Sequence, residues 1–195
     1  LGKADNLTIC VPSGNFGNIT AGLFAQRMGL PIKHFIAANN ANDIFYNYLL
    51  SGVYSPKASI QTIANAMDVG DPSNFARILD LYKSSHAEIC NHISGATYSD
   101  DEIAATMKKC YEQTGYVLDP HGACGYQALK DNLKEGETGV FLETAHPAKF
   151  KEKVDAILST DIEIPTRLAD FMKGKKQSLE MAADFSAFKQ FLLNE

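Results

Sequence analysis

The sequence has little of what binds polyanions. Among its 195 residues arginine occurs only at Arg27, Arg77 and Arg167, and the formal net charge is −5. Neither nucleic acid nor an anionic membrane is the expected partner of such a chain. The four cysteines, Cys10, Cys90, Cys110 and Cys124, include no C-x-x-C pair. That spacing excludes the common zinc and redox motifs, and a chain of this length needs no disulfide staples. Reduced cysteines and a cytoplasmic location are the expectation. No apolar run approaches the ~20 residues that cross a bilayer, and no basic segment leads into an apolar one as in a secretory signal. An initiating methionine is also lacking. Leu1-Gly-Lys-Ala-Asp-Asn6 runs almost at once into a strand-like segment, so a piece of a longer chain is expected.

What is present is ordinary for a globular protein: 45% hydrophobic and 21% charged residues. The length suits one good-sized core with a tail. Leu7 to Val11 is a β-rich apolar run closed by Pro12, Ser13 and Gly14, which predicts a buried strand. Ala21 to Met28 carries helix formers and stops at Gly29, and Ile32 to Ala38 is strand-like again. Strand, helix and strand in that order predict a βαβ unit and a parallel sheet.

Further helices are expected over Asp43–Leu50, Asn74–Ile93, Ser99–Thr114, His121–Leu133 and Pro147–Leu158. Ser99 and Glu102 form a capping-box pattern, and Pro147 suits a first helical turn. Gly139–Glu143 reads as a buried strand and Tyr116–Leu118 as a short extended segment. Residues Ser51 to Asn74 form a long loop rich in Gly, Ser, Pro and Asn, which is more often functional than idle. Two short amphipathic helices, around Thr166–Met172 and Phe185–Leu193, end the chain. The predicted fold class is α/β: part of a twisted, mainly parallel sheet flanked by helices over residues 1–160, then a helical tail over 161–195.

Between the first strand and first helix lies Pro12-Ser-Gly-Asn-Phe-Gly-Asn18. Its glycines let backbone approach an oxyanion, and the following helix adds unpaired N–H groups and a positive dipole end. The loop contains no lysine or arginine, so neutral donors would hold the charge. It is neither G-x-x-x-x-G-K nor G-x-G-x-x-G. The competing reading is a tight strand-to-helix turn, with Asn15 and Asn18 as turn or cap residues and Phe16 in the core.

The same loop resembles the cofactor-phosphate loop of threonine synthase, a fold-type II pyridoxal-phosphate enzyme. Three further segments resemble that family in order: Thr62-Ile-Ala-Asn-Ala-Met-Asp-Val-Gly-Asp-Pro-Ser-Asn-Phe75, Leu118-Asp-Pro-His-Gly-Ala-Cys-Gly-Tyr126 and Glu143-Thr-Ala-His-Pro-Ala-Lys-Phe150. The resemblance implies pyridoxal phosphate as cofactor, with Gly14, Asn15, Phe16, Gly17 and Asn18 around its phosphate. It implies that the Thr144 hydroxyl meets the pyridine nitrogen; without it, Thr144 reads as a helix cap ahead of Pro147. Asp68, Ser73, Asn74, His121 and His146 lie in the same segments without an assigned role. Asp68 and Asn74 either shape the substrate side of the cleft or tie down the long loop.

The implied reaction converts O-phosphohomoserine and water to threonine and phosphate. The family's Schiff-base lysine lies upstream of the phosphate loop, where only Lys3 occurs, in a polar setting unsuited to a nucleophilic amine. Lys33, Lys57 and Lys149 match no such position, and Lys149 reads as a first-turn helix residue. No catalytic residue is therefore assigned. The lysine-bearing half of the chain is expected as the partner of residues 1–195, which are expected to be inactive by themselves. Three alternatives stay open: a related phospholyase, another fold-type II enzyme, and a non-catalytic phosphate- or cofactor-binding module.

Overall fold

The computed structural model describes residues 6–194, so Lys3 lies outside the described residues. Four strands, β1 (Leu7–Pro12), β2 (His34–Asn39), β3 (Ile93–Thr97) and β4 (Thr138–Phe141), form one parallel sheet in the order β3-β2-β1-β4. Alternation along the strands sends side chains to opposite faces. Val11, Phe35 and Ala37 enter one apolar cluster, while Cys10, Ile36 and Ala38 enter the other. The first cluster is closed by α1 (Gly17–Arg27), α2 (Ile44–Ser51), α3 (Phe75–Leu81) and α4 (His86–His92). The second is closed by α5 (Asp100–Thr114), α6 (Pro120–Asn132) and α7 (Lys151–Leu158). A parallel sheet covered on both faces is the expected class.

Chain order places the site. From β1 the chain moves outward through β2 and β3, then returns to set β4 on the other side of β1. The strand order therefore reverses between β1 and β4, and ligands of open parallel sheets bind outside the carboxyl ends of the strands at such a reversal.

Several boundaries differ from expectation. Helix α1 begins at Gly17 rather than Ala21, directly after the glycine-rich loop. The stretch Asn74–Ile93 is two helices, because Lys83 and Ser84 take left-handed φ values of 50° and 56°. Strand β3, Ile93–Thr97, follows α4 directly; its Ser-Gly-Ala centre carries almost no apolar signal. Tyr116–Leu118 pairs with no strand among the described residues and leads into α6. Strand β4 stops at Phe141, leaving Glu143 to His146 free to form a loop. Pro147–Phe150 is a 3-10 turn ahead of α7. Helices α8 (Thr166–Met172) and α9 (Phe185–Leu193) match expectation.

The chain divides into two compact units, one ending at Ile162 and the other beginning at Glu163. Among the described residues no helix is long and apolar enough to cross a membrane, and no cluster of His, Cys, Asp and Glu could hold a metal ion.

Candidate active site

A cavity of about 350 Å3 opens at the strand reversal, between the loop after β1 and the loop after β4. Gly14, Asn15, Phe16, Gly17 and Asn18 of the first loop line it, together with Thr144, Ala145, Lys149 and Phe150 of the second. Ala66, Met67 and His121 also face it. Residues 130 positions apart thus share one cavity through the β1–β4 pairing, as Leu7↔Thr138 to Cys10↔Phe141.

The first loop is an array of unused donors. The Ser13 N–H bonds the Ala38 carbonyl at 2.8 Å, but no acceptor among the described residues meets the N–H groups of Gly14 through Asn18. Phe16 stands at the N-cap of α1 with φ 62°, and its side chain makes no capping bond. Left-handed backbone costs a phenylalanine about 1–2 kcal/mol. The buried ring, 4.6 Å from that of Phe45, holds it there. Such a residue within a turn gathers successive N–H groups into an anion-binding concavity, and the helix dipole adds to it.

The glycines divide the work. A Cβ on Gly14 would stand 2.6 Å from the Met67 Cα, so this glycine is required by packing. A Cβ on Gly17 would meet only the Asn74 Nδ2, at 3.8 Å. Nothing in the fold requires glycine at 17, and its bare Cα leaves room for a ligand to reach the backbone.

Asn15 does not present its whole carboxamide to the cavity. Its Oδ1 accepts from the Ser73 N–H at 2.7 Å and the Ser73 hydroxyl at 3.0 Å, while the Asn74 amide donates to the Asn15 carbonyl at 2.8 Å. Ser73 and Asn74 thereby fasten the Pro72–Phe75 segment to the glycine-rich loop. Asp68 ties down the long loop: its Oδ1 accepts from Thr62 Oγ1 (2.7 Å), Asn40 Nδ2 (2.8 Å) and Asn42 Nδ2 (3.1 Å), and its Oδ2 from the Thr62 N–H (3.0 Å).

His121, named from the sequence without a role, belongs to a buried polar group whose other members, Asp119 and Glu143, sequence reasoning missed. Asp119 caps α6, accepting from the His121 and Gly122 N–H groups, and its Oδ1 also lies 2.6 Å from the His121 Nδ1. The other ring nitrogen, Nε2, accepts from the Ala66 N–H at 3.1 Å, so His121 is neutral with its proton on Nδ1. Both side chains are at most 2% exposed. Burial opposes the Asp119 charge, but the bonds from His121 and Glu143 outweigh it and hold the carboxyl below the usual carboxylate range.

Glu143 accepts from the Asp119 N–H at 3.0 Å and packs against Gly122. Its Oε2 is buried with no partner among the described residues. Burial, reinforced by the Asp119 carboxyl, pushes Glu143 up to about 8. The two environments thus push the pair apart, Asp119 towards its charged form and Glu143 towards its neutral one. An aspartate before proline at a helix start signals the cap; nothing local marks Glu143.

Thr144 is exposed at the cavity, and no hydrogen bond to it occurs among the described residues. It caps no helix. That work falls to His146, whose Nδ1 accepts from the Ala148 N–H at 3.1 Å.

Residues 2–144 match the model of the pyridoxal-phosphate dependent enzymes. The chain belongs to that family. Residues 122–192 also match the model of the threonine synthase C-terminal region. Threonine synthase of Haemophilus influenzae is 47% identical over 191 residues, which is 98% of this chain and 44% of that protein. The Escherichia coli threonine synthase is 43% identical over 97% of this chain and 44% of its own length. The crystal structure of the latter superposes with TM-score 0.83, covering 98% of this chain and 44% of that one at 42% identity. The pyridoxal-phosphate-bound threonine synthase of Brucella melitensis superposes with TM-score 0.85, covering 99% of this chain and 47% of that one at 31% identity. The chain therefore spans less than half the length of the relatives it matches.

The cavity fits the family cofactor on its own terms. A phosphate needs several convergent donors in place of water, and the unbonded N–H groups of Gly14 to Asn18 offer them. A pyridine nitrogen needs a polar partner, and the Thr144 hydroxyl lines the same cavity without one among the described residues.

Proposed function

We propose that this chain is the C-terminal portion of a threonine synthase that converts O-phosphohomoserine and water to threonine and phosphate. The observation that carries this reading is the cavity at the strand reversal, with a loop of unbonded N–H groups facing Thr144. Gly14, Asn15, Phe16, Gly17 and Asn18 hold the cofactor phosphate through backbone N–H groups, and Thr144 donates to or accepts from the pyridine nitrogen. Bound pyridoxal phosphate supplies the electron sink for bond breaking at the substrate's α- and β-carbons. A hydroxyl partner orients the ring without placing a negative charge beside it, as a carboxylate would.

The Schiff-base lysine belongs, on this reading, to the remainder of the protein, the partner of this portion. Lys33 is paired with Glu137 and Lys57 with Asp43, and neither lines the cavity. The portion through residue 160 forms part of the cofactor domain, the rest forms a helical tail, and the protein works in the cytoplasm, to which four free cysteines are suited.

The test is direct. The full-length protein loaded with cofactor should release phosphate and threonine in equal amounts from O-phosphohomoserine, with O-phosphoserine and phosphoethanolamine as poor substrates. Preferential turnover of either of those would make it a phospholyase instead. Residues 1–195 alone should form no threonine.

A further inference from the structure

Two anionic phosphates must share this cavity if the proposed reaction is right, one on the cofactor and one on the substrate. The inference rests on that reading. The first phosphate has its receptor in the loop after β1, built from neutral N–H donors. No cation lies in that loop. The second arrives on a flexible amino acid and must be held strongly enough to fix the γ-carbon, yet released as product.

Among the described residues lining the cavity, Lys149 is the one lysine or arginine. Its setting is anchored although its ammonium is not. It sits in the Pro147–Phe150 turn, whose start is capped by His146 and whose Lys149 N–H bonds the His146 carbonyl at 3.0 Å. On one side Ala148 is buried, and on the other the Phe150 ring lies 4.8 Å from His121. No carboxylate or carbonyl among the described residues engages the Lys149 Nζ, in contrast to Lys33, Lys57 and Lys151, which all have acidic partners. The ammonium therefore extends from a fixed turn in the wall of the cavity that the glycine-rich loop also lines.

We infer that Lys149 binds the phosphate of the substrate and so determines specificity for a phosphate ester. A lysine suits this task better than a rigid fork: it acts as a compact point charge, without the bidentate geometry that would retain the product. Lys149 keeps its place in the turn ahead of α7 and gains this role besides. Lys149 is a substrate-binding residue and not the cofactor's lysine.

The experiment uses the full-length protein loaded with pyridoxal phosphate, as wild type, Lys149→Gln and Lys149→Arg. Three quantities are read: cofactor absorbance, the dissociation constant for inorganic phosphate from titrated 31P line broadening, and steady-state constants with O-phosphohomoserine. Lys149→Gln should keep the cofactor while the phosphate dissociation constant and KM both rise roughly tenfold or more, the loss of one charge-assisted bond. Lys149→Arg should recover most of both. Phosphate affinity and KM unchanged in Lys149→Gln would overturn the inference, and so would loss of the cofactor, which would assign Lys149 to the cofactor instead. A wild type that makes no threonine removes the proposed function; the phosphate titration would still report on Lys149.

Discussion

Gly14 and Met67 pack backbone against backbone, so closely that a Cβ on residue 14 would stand 2.6 Å from the Met67 Cα. The glycine-rich loop and the Asn65–Met67 turn are thus one structural unit, although 53 residues separate the two contacts. The cradle's shape depends on a distant part of the chain.

Substitution at the two glycines separates packing from ligand binding. Gly14→Ala forces backbone apart and should lower stability by about 1–3 kcal/mol, as overpacking does. Gly17→Ala has room and should melt at or above the wild-type temperature, yet bind pyridoxal phosphate more weakly. Thermal melting without cofactor and a fluorescence titration with it check both. A Gly17→Ala protein that takes up cofactor as tightly as wild type would refute the cradle.

His121 bridges Asp119 and the Ala66 N–H, and only a side chain that both donates and accepts can do so. His121→Leu leaves a buried carboxylate and a backbone donor short of partners, a loss of about 2–5 kcal/mol. His121→Gln can restore one donor and one acceptor and should recover part of it. Chemical denaturation measures the difference. Equal losses in both variants would show that the ring's shape, and not its hydrogen bonds, matters.

Glu143 makes stability depend on pH. Folding raises its pKa from 4.5 to about 8, so the folded chain keeps a proton that the unfolded chain has lost. Its contribution is intact below about pH 4.5 and fades as pH rises towards 8. Glu143→Gln should hold its melting temperature over that window while wild type declines. Parallel curves for the two proteins from pH 5 to pH 9 would remove Glu143 as the cause.

Asp68 is the knot of the long loop, accepting four hydrogen bonds from Asn40, Asn42 and Thr62. Asp68→Ala strands these donors, and bonds to a charged group contribute about 1.5–3 kcal/mol each when buried. Limited proteolysis should then cut within residues 51–71 at a rate at least tenfold above wild type, since 1.4 kcal/mol of local opening suffices for that factor. Unchanged cleavage would place the loop's stability elsewhere.

The glycine-rich loop and the parallel sheet were legible from local pattern. Leu7–Val11, Pro12–Asn18 and Ile32–Ala38 carry their signals in a few adjacent residues: apolar runs, turn-forming glycines, a helix start. Strand β3 was not, because Ser94, Gly95 and Ala96 have little β propensity and are strand only through pairing with β2. The break at Lys83 and Ser84 was equally hidden, since neither residue announces a left-handed turn.

By itself, then, the sequence determined the fold class, the place of the glycine-rich loop and, through four ordered segments, the family resemblance. Those features are written in neighbours along the chain, where hydrophobic period and backbone freedom act. The tertiary structure decided which distant residues meet. It turned Asn15 towards Ser73, gave Asp68 to the long loop, set the half-buried Glu143 against Asp119, and brought Lys149 to the cavity that Thr144 lines. The physical reason is the order of the strands: β4 returns beside β1, and only that pairing carries the loop after residue 141 to the loop after residue 12.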